Sequence, residues 1–130
     1  MGEEQKQRQG LLDQVDEIVE LDDSFTVTKY DNISILRYRV DETISLVGHP
    51  AKQWNQFCNQ LVGWITDAVV KRGWQLSLFP QNGNWVVSID EGMPDRERVD
   101  PDATGSCPAS CHHAYAYVEA YLQAIEASPP

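Results

Sequence analysis

Between Pro50 and Asp90 the spacing of apolar residues changes once, from a helical period to a strand period. Trp54, Phe57, Cys58, Leu61, Val62, Trp64, Ile65, Ala68 and Val69 fall within about 160° of arc on a 3.6-residue wheel. An arc that wide predicts a helix pressed onto a sheet. Gly73 ends the pattern. Trp74, Leu76 and Leu78 then alternate with Gln75 and Ser77, and Trp85, Val87 and Ile89 alternate back. Gln81-Asn82-Gly83-Asn84 between them supplies the residues that tolerate positive φ, so the segment reads as a β-hairpin.

The same reading extends to both sides. Leu11, Leu12, Val15, Ile18 and Val19 share one helical face, and Asp13, Asp16, Glu17 and Glu20 share the opposite one. That helix should end near Leu21. Phe25 to Lys29, Ile33 to Val40 and Thr43 to Val47 read as strands, rich in β-branched and aromatic residues. In the second of them Ile33 and Ile35 are out of phase with Leu36, Tyr38 and Val40. That slip predicts a bulge or a strand covered on both faces. Asp90 to Gly105 has no period and many Asp, Glu, Arg, Pro and Gly, so it reads as a long acidic surface loop. A last helix is expected from about Ser106 or Cys107 to just before Ser128, with Cys111, Ala114, Tyr115, Val118, Tyr121, Leu122 and Ile125 inward. The expectation is one α+β domain over residues 1–130, in the order α-β-β-β-α-β-β-α. It has a twisted antiparallel sheet with packed helices, and residues 1–9 and 128–130 are expected to be disordered.

Composition agrees with a folded domain: 42% of the residues are hydrophobic, and there are four Trp and five Tyr. No apolar run is long enough to cross a membrane, and Met1 to Gly10 lacks the apolar core of a secretory signal. The expected compartment is therefore cytoplasmic. Three cysteines do not suggest a disulfide framework.

Charge changes the picture more. The net charge is −10. Residues 1–23 carry −6, residues 24–90 carry +1 and residues 91–130 carry −5. Such a surface repels a phosphate backbone, so direct nucleic-acid binding is disfavoured. It attracts a basic protein. Asp13, Asp16, Glu17 and Glu20 on the first helix are the candidate contact residues. Trp64, at the edge of the widest apolar arc, is the tryptophan expected to be exposed and to join them.

One cluster resembles chemistry. Cys107-Pro108-Ala109-Ser110-Cys111-His112-His113 holds two thiols and two imidazoles, the donor set of a zinc site. On one helix they diverge by about 100° and 200°, and only a distant residue such as His49 could complete a set. Cysteines with three residues between them also lack the usual redox spacing of two. Both thiols therefore read as core, and no metal or cofactor is expected. Asp90, Glu91, Asp95, Glu97, Asp100 and Asp102 do not match the spacing of a calcium loop. No catalytic triad, buried carboxylate pair or phosphate loop is evident, so an enzyme is not expected.

The element order, the small size and the acidity resemble class I chaperones of type III secretion. That resemblance implies an acidic homodimer that holds a partly unfolded partner protein. Gly73-Trp74, Trp85-Val86-Val87 and the helix bearing Ala114 and Ala120 are similar to small phage α-β-α proteins of unknown function. The function expected is a non-catalytic acidic module that binds a protein, as chaperone, immunity protein or inhibitor. Two alternatives remain: a phage or mobile-element mimic of nucleic-acid charge, and a thiol- or metal-dependent enzyme at Cys107–His113.

Overall fold

The α+β pattern is borne out in a computed structural model that describes residues 2–29, 33–39, 42–47, 51–90 and 103–127. In chain order the elements are α1 (Glu3–Leu21), β1 (Phe25–Lys29), β2 (Ile33–Tyr38), β3 (Glu42–Val47), α2 (Ala51–Lys71), β4 (Gln75–Gln81), β5 (Asn84–Asp90), β6 (Ala103–Pro108) and α3 (Ala114–Ala127). No helix among the described residues is long and apolar enough to cross a membrane.

The strands form two antiparallel sheets, β1-β2-β3 and β4-β5-β6, rather than one. In the first, every residue of β2 from Ile33 to Tyr38 pairs with β3 without a skipped position. The slip in its apolar pattern is therefore not a bulge. Leu36 and Tyr38 are buried on the inner face, and Ile35 is only half-buried on the other. In the second sheet, Asn82 and Gly83 have φ of 54° and 80°. These are the two positive-φ residues of a type I′ turn. Gln81 pairs with Asn84, and the register runs unbroken to Gln75 opposite Asp90.

The third strand of this sheet corrects the expected loop and helix start. Ala103, Gly105 and Cys107 of β6 are buried and alternate with exposed Thr104, Ser106 and Pro108. The alternation is strict, but the inward residues are too small to stand out as hydrophobic. Smallness is what the packing requires. A Cβ on Gly105 would lie 2.2 Å from the Ala116 carbonyl oxygen and 2.6 Å from the Ala120 nitrogen. The backbone of α3 therefore rests directly on β6. Helix α3 begins at Ala114, not near Ser106. Of the acidic loop, residues 91–102 lie outside the described residues, as do 128–130.

Helix α3 occupies the centre. It packs on β5, β6, α1 and α2, and nine of its residues are buried, Tyr121 and Val118 completely. Helix α2 presents its wide arc as expected, with Phe57, Cys58, Leu61, Ile65 and Val69 at 0–2% exposure. Helix α1 docks through Leu11, Val15 and Ile18. It starts at Glu3 rather than after a frayed segment. Its polar first turns have partners: the Arg8 guanidinium lies 5.0 Å from the Trp54 ring centroid, a cation–π contact. Gln7 lines a cleft with Cys111.

Two glycines give opposite expectations. Gly105→Ala should cost about 3 kcal/mol or more, because neither backbone atom it meets can move without shifting α3. Gly63→Ala, in the exposed middle of α2 with open space around it, should stabilise by about 0.5–1 kcal/mol. Urea titrations of both variants check the pair. A neutral Gly105→Ala would mean that α3 does not sit where described.

Candidate functional site

The acidic face is built by the docking of α1. Because Leu11, Val15 and Ile18 point inward, Asp13, Glu17 and Glu20 point to solvent, and Asp16 is half-buried at the margin. Asp16 is already engaged: Lys29 of β1 donates to its Oδ2 at 2.8 Å. That contact raises the Lys29 pKa above its ordinary value, chiefly through the hydrogen bond. Asp13 accepts from Gln9 Nε2 at 2.9 Å. Among the described residues Glu17 and Glu20 form no ion pair. The face therefore divides into two committed acids and two open ones.

Trp64 does not belong to this face. It is 2% exposed and its ring stacks on Tyr38 at 5.9 Å. The edge of the α2 arc is covered because β2 lies beside it. Tyr38 in turn meets Phe25 at 4.8 Å, and Phe25 meets Tyr121 at 6.1 Å. Four rings thus link α2, β2, β1 and α3.

The cysteine–histidine segment is not helical at its start, which corrects the stripe assigned to it. Cys107 ends the inner face of β6 and its Sγ approaches the His112 carbonyl oxygen at 3.6 Å. Cys111 follows a turn closed by its N–H donating to the Pro108 carbonyl at 2.9 Å. Its half-exposed thiol lies 3.8 Å from Gln7 Oε1. Both thiols line a cleft of about 310 Å³ between α1, β6 and α3. Burial raises the Cys107 pKa and pushes Cys58 up to about 12. Thiols held that way stay protonated and are poor nucleophiles at neutral pH. Among the described residues no three His, Cys, Asp or Glu side chains converge as metal ligands. His49 lies outside them.

His112 has a defined task. The Ala114 N–H donates to its Nδ1 at 3.0 Å, satisfying one of the open donors at the start of α3. The ring proton is therefore on Nε2, which donates to Asn59 Oδ1 of α2 at 2.7 Å. Burial lowers its pKa, helped by His113, whose ring stacks on it at 4.4 Å.

The residue that sequence reasoning missed is Asp22, just past the expected end of the first helix near Leu21. It is the only buried charged side chain among the described residues, 5% exposed. Its Oδ1 accepts the Ser24 N–H at 2.9 Å, its Oδ2 accepts the Tyr121 hydroxyl, and Arg72 approaches at 4.0 Å. Burial and the carboxylate keep the Tyr121 hydroxyl protonated, its pKa far above the ordinary value. A cleft of about 330 Å³ opens beside it, lined also by Tyr38, Lys71 and Arg72. Beside it, Tyr38 donates to Asp67 Oδ2 at 2.7 Å, which is the main reason the Asp67 pKa is lowered. Both carboxylate oxygens of Asp22 are engaged, tying the end of α1 to the turn before β1, to α3 and to Arg72 just past α2. The spacing Asp-x-Ser after a helix was the available signal, since it favours an Asx turn.

Comparison with known proteins finds no matching family model, no matching curated protein and no matching solved structure.

The His112 cap generates a pH dependence. The folded ring resists protonation while the unfolded one takes a proton near the ordinary 6.5. The cap's contribution is therefore present above 6.5 and is lost as pH falls towards the lower folded value. His112→Asn keeps an acceptor for the Ala114 N–H and should flatten stability across that window. Denaturation midpoints between neutral and mildly acidic pH, with an NMR titration of the ring, check this. Identical slopes in both proteins would remove His112 from the account.

Proposed function

We propose that this chain is a non-catalytic acidic module that captures another protein through the solvent face of α1. The observation that carries this is the rigid presentation of Glu17 and Glu20, with Asp13 beside them, on a helix whose opposite face is buried to within a few percent. Carboxylates fixed in this way act at long range on a basic partner, and their effect is largest on the association rate. A cytoplasmic site of action fits the same proposal.

The test starts with capture of the partner from the source cells and its identification by mass spectrometry, followed by kinetics with the purified partner. Glu17→Lys/Glu20→Lys should leave folding stability within about 0.5 kcal/mol of the parent. The same double reversal should slow association several-fold at low salt, with the difference shrinking once screening shortens to about 8 Å near physiological ionic strength and above. Asp16 is left in place because its reversal would also break the contact with Lys29. An association rate indifferent to the double reversal would reduce the face to a solubilising surface.

A further inference from the structure

Strand β4 lies at the edge of the order β4-β5-β6, and its hydrogen-bonding parity follows from the turn. In a two-residue type I′ hairpin the flanking residues, Gln81 and Asn84, exchange both backbone bonds. Bonded and non-bonded pairs then alternate along the ladder. Phe79, Ser77 and Gln75 therefore direct their N–H and C=O groups at β5, while Leu76, Leu78 and Pro80 direct theirs outward. The Ala109 N–H donating to the Gly83 carbonyl at 3.0 Å, on the other side of β5, obeys the same parity. Pro80, which has no N–H, occupies an outward position, where it takes nothing from the sheet. The open edge thus offers the N–H groups of Leu76 and Leu78 and the carbonyls of Leu76, Leu78 and Pro80. Among the described residues nothing pairs with it.

An open edge is ordinarily guarded by lysine, a bulge or shortness. This one is seven residues long and regular. No charged residue occurs from Gly73 to Ile89, although the chain holds twenty acids and ten bases. Leu78 and Phe79 are 37% and 39% exposed, two of the four exposed large hydrophobic residues among those described, one on each face of the strand. The other edge is treated differently. On β6 the Thr104 N–H is taken by Gln123 Oε1 at 3.4 Å, and Pro108 has no N–H to offer.

We propose that β4 pairs antiparallel with β4 of a second copy about a two-fold axis at Ser77, joining two three-stranded sheets into one of six. The edge is complementary to its own copy, and the axis at Ser77 is the one in which every facing pair closes with two bonds. Centred on Ser77, Leu76 exchanges both bonds with Leu78 of the second copy, and Leu78 with its Leu76. All four outward N–H groups then find carbonyls. Centring on Leu78 also gives four bonds, but it sets Leu76 opposite Pro80 of the second copy, so each outer pair closes with one bond instead of two. Centring on Leu76 sets Leu78 opposite Trp74, whose N–H already donates to the Val69 carbonyl at 3.0 Å. In the Ser77 register the Leu76 and Leu78 side chains of both copies meet on one face, covering the exposed part of Leu78. A strand without charge meets its own copy without repulsion, even in a chain of net charge −10.

Sedimentation equilibrium of the full chain should give twice the chain mass. Leu78→Lys places a charge on the edge, and Leu78→Pro removes an outward N–H without removing any bond inside the sheet. Both should shift the chain to a monomer with unchanged circular dichroism. Ser77→Cys in a Cys111→Ser background should cross-link rapidly under glutathione disulfide, because residues at the axis face each other at about 4.5 Å. Ser88→Cys, one strand inward on the same face, should not. A monomeric wild-type chain overturns the proposal. So does a dimer that survives both Leu78 variants, or one that cross-links equally well through residue 88.

Discussion

Helix α3 lies with its backbone on β6, and the rest of the structure is arranged around that contact. It is possible only because position 105 has no side chain and positions 103 and 107 have small ones. Close approach brings Val118, Tyr121, Leu122 and Ile125 within reach of α1 and α2 at once, so one helix supplies the centre of the core. A larger inward residue on β6 would lift α3 and expose apolar surface on all the elements that close over it, at about 25 cal/mol for each Å² returned to water.

The start and the middle of α3 are fixed by polar contacts of different kinds. At its start His112 caps the Ala114 N–H and reaches Asn59 on α2. At its middle Tyr121 donates to Asp22, which also holds the Ser24 N–H and faces Arg72. A buried carboxylate is costly unless its oxygens are satisfied. Here its partners come from the turn before β1, from α3 and from Arg72 just past α2, so the same contacts that permit burial also orient the junction of α1 with β1.

The parts that could be read from the sequence are those in which a large side chain marks the inward face. Helix α2 and the β4–β5 hairpin were legible because Trp54, Leu61 and Ile65, or Trp85, Val87 and Ile89, carry the period. Strand β6 was hidden because its inward set is Ala, Gly and Cys, and hydrophobic periodicity is blind to a strand selected for thinness. Trp64 was misplaced for a related reason. A helical wheel gives the angle of a residue but not which neighbours stand beside the helix, and β2 stands beside this one. Within the acidic face, the geometry of Asp13, Asp16, Glu17 and Glu20 was legible. The pairing of Asp16 with Lys29, thirteen residues away, was not, since only the tertiary fold brings the β1 edge to α1.

Charge divides the surface in a way that composition alone conceals. The acids of α1 act through a field that reaches roughly 8 Å in physiological salt. The edge of β4 acts only at hydrogen-bond distance and only on a strand of matching register. A chain of net charge −10 that carried acids on both surfaces would repel its own copy at the edge as strongly as it attracted a basic partner at the helix. Keeping residues 73–89 free of charge removes that conflict. The two proposed surfaces share no residue, since one is made of side-chain carboxylates on a helix and the other of backbone groups on a sheet.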